Sequence, residues 1–189
     1  MKLTKIIGVA GTNGSGKDTL GDLLAAEKDY INVSLSDILR AELDKQGKLH
    51  TRENLSGVSR RIRETEGDGS MSKRVINQYR ESERGLCITS IRAPGEAAEI
   101  QQSGGIVVWV YADEHIRYER IRSAKRGRGE TDIISFEEFL RQEAAEMTPT
   151  EQGGGLNMEA VKNRADIHLK NEFSSLEAYQ DYLRDYFEF

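Results

Sequence analysis

The sequence predicts a three-layer α/β/α fold around a five-stranded parallel sheet. Three observations carry this expectation. Short apolar runs alternate along the chain with segments of helical periodicity, the pattern of a parallel sheet covered on both faces. The run "GIVVWVYA" at 105–112 is continuous, β-branched and aromatic, as suits a strand buried on both sides. The first apolar run, "KIIGVA" at 5–10, passes through a glycine-rich turn directly into a helix.

The helix after that turn begins at Lys17 and gathers Leu20, Leu23 and Leu24 on one face. "YINVSL" (30–35) is the second strand, and Ser36 or Asp37 is placed to cap the helix carrying Ile38, Leu39 and Leu43. The charged stretch 51–84 has apolar anchors at Leu55, Val58 and Ile62, then at Val75, Ile76 and Tyr79. These divide it into two amphipathic helices split by "EGDGS" (66–70), with Ser70 as a cap. "GLCITS" (85–90) is the third strand, and Pro94, tolerated in a first turn, opens a helix at 95–102.

After the fourth strand at 105–112, whose Trp109 reads as core, a helix runs from Asp113 until "KRGRGETD" (125–132) breaks it. "SFEEFLRQEAAEM" (135–147) is helical, with Ser135 and Glu138 spaced as a capping box. "TPTEQGGG" (148–155) is a loop and "ADIHL" (165–169) the fifth strand. The last helix, from Ser174, turns Leu176, Tyr179, Leu183, Tyr186 and Phe187 toward the core. A single domain over 1–189 results, with its core at 1–35, 85–125 and 135–189. It carries a helical insertion at about 36–84 and a short arginine-rich segment at about 125–134.

Composition narrows the function classes. With 37% hydrophobic and 31% charged residues, the 189-residue chain is globular with one ordinary core. The formal net charge of -5 argues against a nucleic-acid coat protein. Cys87 is the one cysteine, so no internal disulfide forms. Between Leu86 and Ile88 it reads as a buried structural thiol and suits a reducing cytoplasm. No apolar run approaches the ~20 residues of a membrane span, and "KIIGVA" is too short for a secretion signal. His50, His115 and His168 share no metal-ligand spacing. Neither nucleic acid nor membrane is expected as a partner, and the composition leaves the oligomeric state open.

The chemistry lies in "GVAGTNGSGKDTLGDLLA" (8–25), where Gly11, Gly16 and Lys17 satisfy the phosphate-loop pattern G-x-x-x-x-G-K-[ST] up to its last place. A strand, a glycine-rich turn and a helix N-terminus bring several backbone N–H groups to one point, where the helix dipole adds positive charge. Gly11, Asn13, Gly14, Ser15, Gly16, Lys17, Asp18 and Thr19 form the candidate site for ATP, with Lys17 directed at the outer phosphates. This predicts a P-loop NTPase. Asp18 stands where a hydroxyl usually holds magnesium, and Thr19 comes one place late.

The loop resembles those of adenylate-kinase-like nucleoside monophosphate kinases, in which a lysine, a small residue and a threonine often follow one another. Thr19 then matches a phosphate-contacting position. "SLSDILR" (34–40) resembles the segment after their second strand, which implies that Asp37 and Arg40 serve the acceptor's phosphate. "ITSIRAPGE" (88–96) resembles the third-strand segment, and Arg92 matches a substrate-side arginine. "DEHIRYERIRSAKRGRGETD" (113–132) resembles the helix and arginine-bearing lid, and "ADIHLKNEFSSLEAYQDYL" (165–183) the last strand and helix. Over most of the chain, including "ENLSGVSRRIRETEG" (53–67), the likeness is to a branch related to dephospho-coenzyme A kinases. The family's third strand usually ends in an acid that helps order magnesium, and here Thr89–Ser90 stand instead. Asp18 either takes over that task, with Thr19 as second oxygen donor, or rests on the helix dipole, which is worth ~0.3–1 kcal/mol, and never meets metal.

Phosphoryl transfer rests on positioning and cationic stabilisation. In "RYERIRSAKRGR" (117–128), six basic residues against Glu119 leave a net charge of +5. Arg117 reads as part of a solvated helix face. Arg126 and Arg128 alternate with Gly127 and Gly129, as a closing lid requires, and are assigned with Lys17 to the transferring group. Arg122 and Arg141 are secondary assistants. Asp37 orients the acceptor, accepts its proton, or caps its helix. The acceptor expected is a nucleoside monophosphate. Dephospho-coenzyme A is the alternative enzyme substrate, and a non-catalytic nucleotide-binding regulator is the alternative class. A GTPase is disfavoured because no N-K-x-D motif is present; "KNE" at 170–172 is a poor substitute. If Asp18 orders the metal, Asp18→Asn lowers turnover and raises the magnesium needed for half-maximal rate. Unchanged values in a magnesium titration exclude that role.

Overall fold

A computed structural model of the chain describes residues 3–123, 134–148 and 156–189. The strands are β1 (Ile6–Gly11), β2 (Tyr30–Ser34), β3 (Gly85–Ile91), β4 (Ile106–Tyr111) and β5 (Ile167–Lys170). The helices among the described residues are α1 (Lys17–Glu27), α2 (Leu35–Lys45), α3 (Arg52–Glu66), α4 (Ser70–Gln78), α5 (Pro94–Gln102), α6 (Glu114–Ser123), α7 (Phe136–Met147), α8 (Met158–Arg164) and α9 (Leu176–Phe187). All strand pairs are parallel, in the order β2-β3-β1-β4-β5. The chain leaves β1 toward one side of the sheet and leaves β3 toward the other. A crevice therefore opens beyond the carboxyl ends of these two neighbours, where the winding reverses.

Strand alternation divides the core into two layers. Ile7, Val9, Val108, Val110 and Leu169 pack with Leu20 and Leu24 of α1 and Tyr179, Leu183 and Phe187 of α9. On the opposite face Ala10, Ile88 and Trp109 pack with Leu39, Val58, Val75, Ile100 and Val161, so α2 to α5 and α8 share one core cluster. The result is the three-layer α/β/α arrangement.

Several local expectations shift. α8 lies between the loop read at 148–155 and the fifth strand, in a stretch given no element from the sequence; the Asn157 side chain accepts the Ala160 N–H at 3.0 Å and Met158 and Val161 are buried. The fifth strand starts later, at Ile167, since the Asp166 carboxylate turns back to accept the Val107 N–H at 2.7 Å. Ser34 precedes α2, which places Ser36 and Asp37 inside its first turn, and Gly69 rather than Ser70 precedes α4. Leu176 opens α9 on its outer side and is 62% exposed, contrary to the inward stripe read from spacing. Pro94 at the start of α5 and Ser135 capping Glu138 stand as expected. No helix among the described residues is long and apolar enough to cross a membrane.

Cys87 lies fully buried in β3, and burial pushes its thiol far above the ordinary range. The folded chain is expected to resist a thiol reagent such as Ellman's and to react in full once denatured. Rapid modification under native conditions would contradict the packing of β3.

Candidate active site

The phosphate loop is braced from behind. Gly14 and Gly16 adopt left-handed backbone, with φ of 79° and 87°. A Cβ on Gly14 would stand 2.7 Å from the Arg117 carbonyl oxygen, and one on Gly16 2.3 Å from Asn171 Nδ2. Both positions therefore exclude a side chain for conformational and steric reasons. Asn171, 3% exposed just past β5, donates Nδ2–H to the Ser15 carbonyl at 2.8 Å. Arg120 in turn donates to the Asn171 carbonyl at 3.0 Å and to its Oδ1 at 3.3 Å.

Arg117 is 4% exposed, and its guanidinium reaches the Asn13 carbonyl at 3.2 Å while pairing in bidentate fashion with Glu143 of α7. This corrects the reading of Arg117 as a solvated helix residue. The opposite element, α7, supplies the counter-charge that allows the burial.

The loop opens onto a cleft of about 230 Å³ whose lining is entirely polar or charged. Asn13, Lys17, Asp18 and Asp22 form one wall; Ser36, Asp37 and Arg40 of α2 form another; Asn32, Ser34, Thr89, Ser90 and Arg92 come from the strand ends. Lys17, 9% exposed, has its Nζ 3.6 Å from the Asp18 carboxylate. Arg40 is ion-paired with Asp37, one turn earlier on α2. Arg92 Nη1 donates to Glu146 Oε2 at 2.6 Å.

The structure thus brings together Asn13, Lys17, Asp18, Asp37, Arg40 and Arg92, with Gly11, Gly14, Ser15 and Gly16 forming the loop itself. Thr19 is off the cleft lining, its N–H on the Gly16 carbonyl at 3.2 Å. Arg122 and Arg141 are exposed and paired with Glu119 and Glu138 on their own helices. Arg126 and Arg128 lie outside the described residues.

Six cleft-lining residues, Asp22, Asn32, Ser34, Ser36, Thr89 and Ser90, were not assigned to the site from the sequence, and two of them stand out. Asp22 follows Asp18 by one helical turn, a spacing that could have signalled a shared face. Burial first, and then the Asp18 charge, raise its carboxyl above the ordinary value of 3.8, while the Asn32 amide, donating at 3.1 Å, pulls the other way. Ser90 is the second. The β1–β3 register skips it: Val9 pairs with Thr89 and Ala10 with Ile91. Ser90 takes a φ of 64° and its Oγ accepts from Ser34 Oγ at 3.3 Å. This bulge re-aims a side chain at the cleft, and no local signal announces it.

The residues fit a polyphosphate and a hard cation. The Ser15 hydroxyl is buried without a partner inside the glycine bend, as in a cradle awaiting an acceptor atom. Asp18 and Asp22 offer carboxylate oxygens, and Ser34, Thr89 and Ser90 offer hydroxyls. No group of three or more acidic, His or Cys ligands gathers among the described residues. A magnesium ion needs no such cage, since it takes one or two carboxylates along with phosphate and water.

Residues 7–146 match the AAA domain family. A UPF0200 protein of Sulfurisphaera tokodaii is 32% identical over 148 residues, which cover 78% of this chain and 80% of that protein. The chain belongs to the AAA domain family and to the UPF0200 proteins. A second UPF0200 protein, from Hyperthermus butylicus, is 31% identical over 171 residues, 89% of this chain and 86% of the other. Among solved structures, TT1252 from Thermus thermophilus matches with a TM-score of 0.60 at 22% identity, covering 99% of this chain and 98% of its own. A shikimate kinase from Bacteroides thetaiotaomicron matches with a TM-score of 0.57 at 16% identity, over 97% and 98%. The UPF0200 chain therefore has the P-loop kinase-like fold.

Because Asp22 is raised in the folded state, its carboxylate costs stability at neutral pH, and that cost is absent where both folded and unfolded forms are protonated. Asp22→Asn is expected to melt at a higher temperature than the native chain at pH 7. The gain should shrink as pH falls toward 4. A lower melting temperature at pH 7 would contradict the assigned environment.

Proposed function

We propose that the chain is an ATP-dependent phosphotransferase that moves the γ-phosphate of ATP to a small anionic acceptor, a nucleoside monophosphate in the first instance. The observation that carries this reading is the shared cleft. Lys17 of the phosphate loop faces the same space as Arg40 and Arg92, so one cationic group is available to a donor and two to an acceptor. In the reaction an acceptor oxygen attacks the γ-phosphorus, the bond to the β–γ bridging oxygen breaks, and ADP leaves with that oxygen's charge. Lys17 balances charge on the donor's outer phosphates, and Arg126 and Arg128 are assigned to the moving group. Guanidinium forks at Arg40 and Arg92 suit the acceptor phosphate. Bound magnesium would neutralise phosphate charge, held by Asp18 with Asp22 or through their waters. The cytoplasm is the compartment this chemistry suits.

One observation favours a second reading. Asp18, Asp22 and Asp37 all line the cleft. A phosphate acceptor is already ionised and needs no base, whereas a hydroxyl acceptor does. Asp22, with its raised carboxyl, supports a hydroxyl acceptor such as dephospho-coenzyme A. A nucleotide-binding regulator would bind ATP and turn over neither class.

A coupled assay with ATP and magnesium across the four nucleoside monophosphates and dephospho-coenzyme A separates these readings. Turnover of a monophosphate is expected. Arg40→Ala and Arg92→Ala should each raise the acceptor KM by about 10- to 100-fold, the worth of one or two charge-assisted hydrogen bonds. Lys17→Met should abolish ATP binding in calorimetry. ATP binding that survives this change, or no ATP binding by the native chain, overturns the reading.

A further inference from the structure

Both ends of Arg92 are held by carboxylates, and each carboxylate is held by an arginine of α3. Glu96, in the first turn of α5, is fully buried. Its Oε2 accepts the backbone N–H of Arg92 at 2.8 Å and of Ala93 at 3.1 Å. Its Oε1 lies 3.3 Å from Arg63 Nη2, on a side chain only 7% exposed. Arg63 Nε is also 3.7 Å from Asp68, whose other oxygen accepts the Gly95 N–H at 2.8 Å. At the other end of Arg92, Glu146 Oε2 accepts from the guanidinium, and Glu146 Oε1 accepts from Arg52 Nη2 at 2.8 Å. Arg52 and Arg63 are eleven residues apart on α3, close to three full turns, and so share one face.

Stability is a weak reason for such an arrangement. A buried ion pair is often replaced by apolar residues of equal volume without loss. Burial also pushes the Glu96 carboxyl upward, against Arg63 and the two amides that favour its charge. What the pairs do supply is geometry. Arg92 sits just past β3, where its carbonyl accepts the Asn157 N–H at 3.1 Å, and it points a flexible side chain at the cleft. A carboxylate at each end removes that freedom.

We propose that Glu96 and Glu146 are positioning residues that tie the aim of Arg92 to the seating of α3. The catalytic consequence rests on the assignment of Arg92 to the acceptor made above. A helix of the 36–84 segment that supplies no residue to the cleft lining then controls the cleft through two carboxylates.

The test uses the full chain and the variant Arg63→Met/Glu96→Gln, which removes both buried charges together and keeps an oxygen for the two N–H groups. Glu146→Gln serves as the second variant. Nitrogen-15 relaxation of the Arg92 Nε–H group needs no substrate and is read with Arg40 as internal control. Glu146→Gln, which removes the charge paired with the guanidinium, is expected to free the Arg92 side chain most, and the double variant, which cuts its backbone anchor off from α3, to free it less; neither changes Arg40 or ATP affinity. The acceptor KM should rise about tenfold with kcat changed much less. A merely structural pair would lower the melting temperature and leave this split absent. An Arg92 signal as rigid as the native one, or an unaltered acceptor KM, overturns the proposal. If the native chain turns over no acceptor, the kinase reading fails, and the relaxation measurement still decides the positioning.

Discussion

A backbone bend that runs left-handed at Gly14 and Gly16, pinned by Asn171 from the far end of the chain, is the constraint on which the remaining architecture depends. Isolated, such a bend would sample many shapes, since glycine carries the largest backbone entropy of any residue. Two buried side chains remove that freedom. Asn171 takes the Ser15 carbonyl, and Arg117 takes that of Asn13. Each brace has its own support: Arg120 holds Asn171, and Glu143 holds Arg117. The N-terminus of α1 can then present the positive end of its dipole in a fixed direction. Preorganisation of this kind is what allows a fixed dipole to act without reorganising when charge arrives.

Charge in the cleft is balanced in pairs rather than accumulated. Arg40 faces Asp37, Arg92 faces Glu146, and Lys17 lies near Asp18. An entering phosphate would take the place of an exposed carboxylate such as Asp37 on Arg40, instead of neutralising a bare cation. The exchange costs less in desolvation than stripping a hydrated guanidinium, and it leaves the displaced carboxylate facing water. The polar strand ends suit the same process. Asn32, Ser34, Thr89 and Ser90 can donate or accept as occupancy changes.

Much of the frame was legible from local signals. The three-layer arrangement followed from alternating runs, and "GIVVWVYA" marked a strand buried on both faces because nothing polar interrupts it. Spacing alone marked the phosphate loop, since its glycines and lysine act within a single turn of chain. Features that depend on distant partners stayed hidden. Arg117 looked solvent-facing because its counter-charge, Glu143, sits 26 residues away on another helix. Asn171 drew no attention because it supports Ser15 across 156 residues. Helix α8 is too short for periodicity to register, and a capping asparagine with two apolar residues decides it. The bulge at Ser90 arises from a register mismatch between two strands, which neither strand encodes by itself.

The distance along the chain between the loop and its support has a further effect. Translation produces Gly14 and Gly16 long before Asn171, which follows Ser15 by 156 residues, so the emerging polypeptide lacks its rear strut until β5 has cleared the ribosome. Until then the cradle is left unsecured on that side, and a nascent chain gains a rigid anion pocket only once its final strand joins the sheet beside β4.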